Sequence, residues 1–257
     1  MEQPTSTFHV VDHSRPFLEV IREEAHHFHP YPEHLVNLFE TIPRELFVPE
    51  DLRIVFLDRI HTDEGCAGLL SQPGVIFQMV ARLFLHGEER VLEGGTGTGY
   101  QTALLARLAR HVYTIERDSK RLEEAKSRLE QIGITNITYI HGDAASGLPQ
   151  HAPFDRMIFG AAIHGKVDQQ LIAQMASRCL ILIPTGTYHP QRRIVVGDLL
   201  QCEKRDGKVT QKINPVFGGT LTFVPLVSTQ SIGWTPFKGG YIPSTLLAWL
   251  RNKLPWH

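Results

Sequence analysis

The segment Gly94-Gly95-Thr96-Gly97-Thr98-Gly99 constrains this chain more than any other feature. It follows the apolar run Val91-Leu92-Glu93 and precedes a stretch carrying Leu104, Leu105 and Leu108 at helical spacing. Glycines between a strand and a helix let the backbone approach a ligand and leave the helix's first N–H groups free. The rhythm then repeats. Val112 to Glu116 reads as a second strand, and Leu122, Ala125, Leu129 and Ile132 mark an amphipathic helix that Gly133 closes. Ile137 to Ile140, Arg156 to Phe159 and Leu180 to Ile183 read as three more strands, with a helix around Val167 to Met175. Such alternation implies parallel strands joined by right-handed crossovers, with helices on both faces.

After Pro184 the pattern changes. Ile194-Val195-Val196, Val209 to Ile213 and Leu221 to Val224 read as antiparallel strands finishing the same sheet. The expected fold class is α/β: a doubly wound, Rossmann-like sheet, mostly parallel, with antiparallel strands at its C-terminal end. Ahead of the sheet, Leu35, Leu38, Phe39 and Ile42 predict a helix ending near Pro43. A second helix opens at Ser71-Gln72-Pro73, with Ile76, Met79, Val80 and Leu83 on one face. Ser71 has the chemistry of an N-cap, and a proline in the first turn gives up no hydrogen bond. Residues 1–34, punctuated by proline and rich in histidine, read as an irregular N-terminal extension. Residues 35–227 read as one domain with an N-terminal helical cap, and 228–257 as a C-terminal extension. In that extension Leu246, Leu247, Trp249, Leu250 and Leu254 mark a short amphipathic helix.

Charge and cysteine usage narrow the partners. With 26 basic against 27 acidic side chains in 257 residues, the net charge is -1, which removes the general attraction that nucleic acid or an anionic membrane usually needs. A small molecule or a peptide is the expected partner. Cys66, Cys179 and Cys202 are odd in number and form no C-x-x-C pair, which fits a reducing compartment. The polar start lacks the apolar core of a secretory signal, and nowhere do about 18 apolar residues run together. A cytoplasmic location is the expectation. His26, His27, His29 and His34 cluster without a regular element or a cysteine to fix a metal, so they read as a solvated segment. Arg192-Arg193 reads as a solvated strand end, and Trp234, Trp249 and Trp256 as residues packing back onto the domain.

The loop itself discriminates between ligands. A dinucleotide fingerprint counted from Gly95 would need a third glycine where Tyr100 stands, and a P-loop would need a lysine that is absent. Three acidic residues, Glu93, Glu116 and Asp143, stand instead at or just beyond the ends of the first three strands. Glu116 follows Gly99 by one helix and one strand, where a ribose-binding carboxylate is expected. Such a rim repels phosphates and suits a ligand with an ammonium group, ribose hydroxyls and an amino-purine, needs that S-adenosylmethionine meets. Glu116 and Asp143 could also merely cap the helices that follow them.

Several segments then resemble one family, the protein-L-isoaspartate O-methyltransferases. Val91 to Gln101 and Val112 to Arg117 resemble its first two cofactor motifs. Ile42-Pro43-Arg44-Glu45-Leu46-Phe47-Val48-Pro49-Glu50 resembles its N-terminal signature, and Ser71-Gln72-Pro73 its active-site segment. Ala152-Pro153-Phe154-Asp155, Gly160-Ala161-Ala162, Ile183-Pro184-Thr185-Gly186 and Phe223-Val224-Pro225-Leu226 follow in the family's order. The resemblance implies methyl transfer from S-adenosylmethionine to the carboxylate of an isoaspartyl residue in a protein or peptide, giving an ester that collapses to a succinimide. It implies Ser71 as the catalytic residue orienting that carboxylate. It also implies a cofactor site of Glu93, Gly95, Thr96, Gly97, Gly99, Glu116, Arg117, Asp143 and Ala144, with no metal. A carboxylic acid of pKa about 4 is already ionised at neutral pH, so no general base is needed.

The chain departs from the family's pattern at two places, of which the first bears on the acceptor and the second reads as a turn variant. Where the family carries Leu-Pro-Ile and a Gly-x-Gly-Gln-Thr stretch, this chain reads Ile60-His61-Thr62-Asp63-Glu64-Gly65-Cys66-Ala67-Gly68-Leu69-Leu70. The family's Lys-Pro-Gly-Gly turn is replaced by Ala176-Ser177-Arg178-Cys179. The first change leaves open an enzyme esterifying aspartate in a dedicated peptide. A non-catalytic cofactor-binding adaptor is the reading from another class. Nucleic-acid N-methylation is disfavoured, because Phe159-Gly160-Ala161-Ala162 stands where Asn/Asp-Pro-Pro-Tyr/Phe is usual.

Overall fold

The computed structural model describes residues 14–48, 71, 73–163, 166–189, 194–214, 221–223 and 226. Helices α1 (Ser14–Ala25) and α2 (Glu33–Thr41), a 3-10 turn (Arg44–Phe47) and α3 (Pro73–Arg82) precede the sheet. Then follow β1 (Arg90–Gly94), α4 (Tyr100–Leu108), β2 (His111–Glu116), α5 (Ser119–Gln131) and β3 (Ile137–His141). The chain continues through β4 (Phe154–Phe159), α6 (Gln169–Ala173), β5 (Met175–His189), β6 (Ile194–Arg205), β7 (Lys208–Asn214) and β8 (Leu221–Phe223).

The strand order is β3-β2-β1-β4-β5-β6-β7, with β8 also paired to β6. Strands β1 to β5 pair in parallel, and β6 pairs antiparallel with β5, β7 and β8. The order therefore reverses between β1 and β4, and a sheet of this kind binds its ligand outside the carboxyl ends of the strands at that point. Strand alternation divides the core in two. Val91, Val112 and Ile158 pack with α1 to α5 on one face, while Leu92, Ile115 and Phe159 pack with Leu171 of α6 on the other.

Three differences from the sequence reading have physical causes. Part of the N-terminal segment expected to be irregular is helix α1, whose Phe17, Ile21 and Ala25 recur one turn apart and are buried. Phe17 lies 6.3 Å from Phe39 between ring centroids, and Gln78 of α3 donates to Glu24 at 2.7 Å. Helix α6 ends earlier than expected, because Met175 already pairs with Phe154 and the Phe154 amide donates to Gln174 at 2.9 Å. Strand β5 is much longer than its apolar centre, because β6 returns along it from His189↔Ile194 to Arg178↔Arg205. The amphipathic helix expected after residue 228, Cys66, Arg192-Arg193 and the altered segment 60–70 lie outside the described residues. Among the described residues no helix is long and apolar enough to cross a membrane.

Candidate active site

The glycine loop crosses the point where the strand order reverses. Gly94 pairs with Ile115 of β2 on one side and Phe159 of β4 on the other. A Cβ at Gly94 would run into the Phe159 ring and lie 2.9 Å from the Ala144 Cβ, so only glycine lets the backbone settle here. At Gly99 the chain turns into α4 with φ +92°, a left-handed conformation, and Ala125 and Leu129 close the space a side chain would need. Hydrogen bonds from Gly95 N to Ile115 O (2.8 Å) and from Gly99 N to Thr96 O (2.9 Å) hold the path between them. Gly95, Thr96, Gly97 and Gly99 thus stand together over the strand ends.

Glu116 reaches this loop directly. Its Oε2 accepts the Gly97 amide at 2.9 Å, and Oε1 accepts the amides of Arg117 and Asp118 at 2.9 and 3.1 Å. A carboxylate therefore occupies a loop amide that a phosphate would otherwise take. Capping of α5 falls instead to Asp118, which accepts from Lys120 N and Arg121 N. Asp143 lies beyond β3, half-buried, and accepts the Ala145 amide at 2.9 Å. Ala144 is buried beneath Gly94 and backs the loop. Arg117 is exposed at the end of β2, and its carbonyl lies 3.0 Å from His141 Nε2.

Glu93 departs from the expected rim. Alternation along β1 sends its side chain to the face covered by α4, where it is fully buried. Its carboxylate accepts from Gln101 Nε2 (3.0 Å), Thr102 Oγ1 (2.6 Å) and Thr114 Oγ1 (2.7 Å). Thr114 Oγ1 lies 2.6 Å from Thr96 Oγ1. When Glu93 is ionised its carboxylate only accepts, so the Thr114 hydrogen then goes to Glu93 and Thr96 donates to Thr114. Burial pushes the Glu93 carboxyl up to about 7, against these side-chain hydrogen bonds, which favour the ionised form. Glu93 is a latch inside the fold, and the carboxylates left at the strand ends are Glu116 and Asp143.

Ser71 lies outside the loop but is tied to it. Helix α3 begins at Pro73, two residues after Ser71, so Ser71 does not directly precede the helix. The Ser71 carbonyl accepts from Arg44 Nη2 at 2.8 Å, and the same guanidinium lies 5.3 Å from the ring centroid of Tyr100, the residue after Gly99. On the far side, Leu226 N donates to Ala162 O at 2.6 Å, joining two segments well separated in sequence beyond β4. Sequence reasoning missed Arg44, Thr102 and Thr114 as parts of the site. Thr114 was legible as the residue two before Glu116 on the same strand face, and Arg44 only as one of two adjacent charges, with Glu45, inside the run Ile42 to Val48.

Comparison with known proteins follows the same outline. Residues 18–231 match the model of the family described as "Protein-L-isoaspartate(D-aspartate) O-methyltransferase (PCMT)". The chain is 36% identical over 172 residues to a protein-L-isoaspartate O-methyltransferase of Dictyoglomus thermophilum, covering 67% of this chain and 76% of that one. It is 35% identical over 196 residues to that of Saccharophagus degradans, covering 76% and 83%. Among solved structures, a protein-L-isoaspartate O-methyltransferase superposes with a TM-score of 0.66 at 21% identity, over 84% of this chain and 66% of that one. A second, described as a putative enzyme of this kind from Plasmodium falciparum in complex with S-adenosyl-L-homocysteine, gives 0.61 at 17% identity over 82% and 98%. The matched span takes in α1 from Leu18 onward, the latch around Glu93 and the Ser71 segment alike, and the chain belongs to the protein-L-isoaspartate(D-aspartate) O-methyltransferase family.

Proposed function

We propose that this protein transfers the methyl group of S-adenosylmethionine to the free carboxylate of an isoaspartyl residue in a protein or peptide, the first step of a repair reaction. Family membership supports the reaction, and one observation of the chain itself carries the cofactor: Glu116 accepts the Gly97 amide at 2.9 Å at the point where the strand order reverses. A loop amide already bonded to a carboxylate disfavours phosphate and leaves a negative surface for hydroxyl and ammonium groups.

In this reading Glu116 takes the ribose hydroxyls, Asp143 and Ala144 flank the amino-purine, and Gly95, Thr96, Gly97 and Gly99 bring backbone against the rest, with Arg117 at the rim. When bound, the cofactor supplies an electrophilic methyl group on a sulfonium. The residues of this chain do the remainder. Glu93 sets the loop's shape from within, Ser71 orients the acceptor carboxylate, and the alignment of oxygen, carbon and sulfur lowers the barrier without proton transfer. The net charge of -1 supports a peptide acceptor over nucleic acid, and the free thiols of Cys179 and Cys202 support a cytoplasmic setting.

A methyl-transfer assay with isotope-labelled cofactor and matched aspartyl and isoaspartyl peptides tests the proposal. Base-labile label on the isoaspartyl peptide alone is expected. Ser71→Ala should lose most of that turnover while keeping cofactor affinity. Label on neither peptide in the presence of measured cofactor binding would turn the reading toward an adaptor.

A further inference from the structure

Arg44 is a buried charge whose nearest opposite charge, Glu45, favours its protonated form without forming an ion pair with it. Arg44 is 7% exposed, set between the Phe17 and Tyr100 rings at 5.9 and 5.3 Å from their centroids. Nη2 donates to the Ser71 carbonyl at 2.8 Å, whereas Nη1 is buried with no hydrogen-bond partner. Among the described residues Arg44 forms no ion pair. The Tyr100 hydroxyl beside it is also buried and unbonded, and burial raises its pKa, so it stays a neutral phenol. Burial draws the guanidinium down to about 10, which still leaves it protonated at neutral pH.

A buried charge without an ion pair is among the costlier things a fold can hold, and apolar replacement is usually the more stable choice. As a strut for one carbonyl, a neutral amide would serve as well. What the neutral amide lacks is the charge. The only place in the reaction that calls for a positive charge is the acceptor, a carboxylate that must sit beside Ser71.

We propose that Arg44 is a positioning residue for methyl transfer, holding the Ser71 main chain against the helix behind the glycine loop and supplying the positive potential that draws the acceptor carboxylate to Ser71. The proposal rests on the isoaspartyl reading of the function. It also fits the site's division of charge: carboxylates at the ends of β2 and β3 face the cationic ligand, and one buried cation backs the anionic one.

The test compares an isoaspartyl peptide with its carboxamide analogue, equal in shape but neutral, by calorimetry on the intact protein saturated with S-adenosylhomocysteine. Wild type should bind the carboxylate peptide at least tenfold more tightly than the carboxamide. Arg44→Gln should reduce that ratio below threefold, with S-adenosylhomocysteine affinity changed less than threefold. Arg44→Lys, which keeps the charge but not the fork, should keep the ratio and lower kcat. A wild-type ratio in Arg44→Gln overturns the inference, as does an equal loss for both peptides and the cofactor, which marks a mere prop. If Arg44→Gln does not fold, collapse of the ratio in Arg44→Lys overturns it. A wild-type protein that methylates no isoaspartyl peptide defeats the functional reading and this inference together, whereas an active wild type with an unchanged Arg44→Gln ratio defeats this inference alone.

Discussion

Glu116 Oε2 accepts the Gly97 amide at 2.9 Å, which ties the end of β2 to the middle of the glycine loop. In the proposed reading, a side chain from the neighbouring strand sets the loop's ligand preference. Removing that side chain should cost ligand affinity before it costs the fold, because Glu116 is half-exposed and water can satisfy the freed amide. Hydrogen bonds to a charged group contribute about 1.5–3 kcal/mol, so Glu116→Ala should weaken S-adenosylhomocysteine binding about 10- to 100-fold. Calorimetry alongside urea unfolding checks this, and an affinity within twofold of wild type would refute it.

Glu93 gives the protein a pH-dependent stability. Its folded-state carboxyl is raised from 4.5 to about 7, so the native state holds a proton that the unfolded chain has released. The stability it contributes is complete below about pH 4.5 and is lost as pH rises through about 7, on the order of 3 kcal/mol in all. Glu93→Gln keeps the shape without the titration. Its urea midpoint should therefore change less between pH 5 and 8 than that of wild type, and parallel profiles would count against the assignment.

Gly94 and Gly133 separate two reasons for glycine. At Gly94 a methyl group meets the Phe159 ring and Ala144, so Gly94→Ala should destabilise by about 3 kcal/mol or more through overpacking and weaken cofactor binding with it. Gly133 has φ +72° but open space around it, so Gly133→Ala should cost only about 1 kcal/mol and leave binding alone. Chemical denaturation of both variants decides the matter. Equal costs would mean that the close approach at Gly94 is relieved by a shift of the ring.

Helix α1 belongs to the same core as the site. Ile21 is fully buried within the cluster that also contains Phe39, Phe77 and Tyr100. Ile21→Ala should cost about 2–5 kcal/mol, the range for a buried aliphatic truncated in a packed core. A loss under about 0.5 kcal/mol, the size of an ordinary surface substitution, would show that the helix is a detachable appendage.

The parallel portion of the sheet was legible because its causes are local. Val91-Leu92, Val112 to Glu116 and Ile137 to Ile140 are short apolar runs separated by helical spacing, and that alternation implies parallel strands joined by right-handed crossovers. The glycine loop was legible for the same reason: backbone freedom is a property of residue type. Less legible were the limits of β5 and α6. Their ends are set by pairing with β6 and β4, and a strand's length depends on a partner that local periodicity does not name.

The candidate site divides along the same line. That Glu93, Glu116 and Asp143 stand at or just beyond strand ends follows from their order in the chain. That Glu93 turns inward, onto Thr102 and Thr114, follows from which face of β1 the helix α4 covers. That Arg44 meets Ser71 follows from α1, α2 and α3 packing around one aromatic cluster. Residue type and spacing dictate what a segment is able to form, since those forces act over a few positions. Direction, burial and the company a charge keeps arise when distant segments exclude water together, and that happens only in the assembled fold.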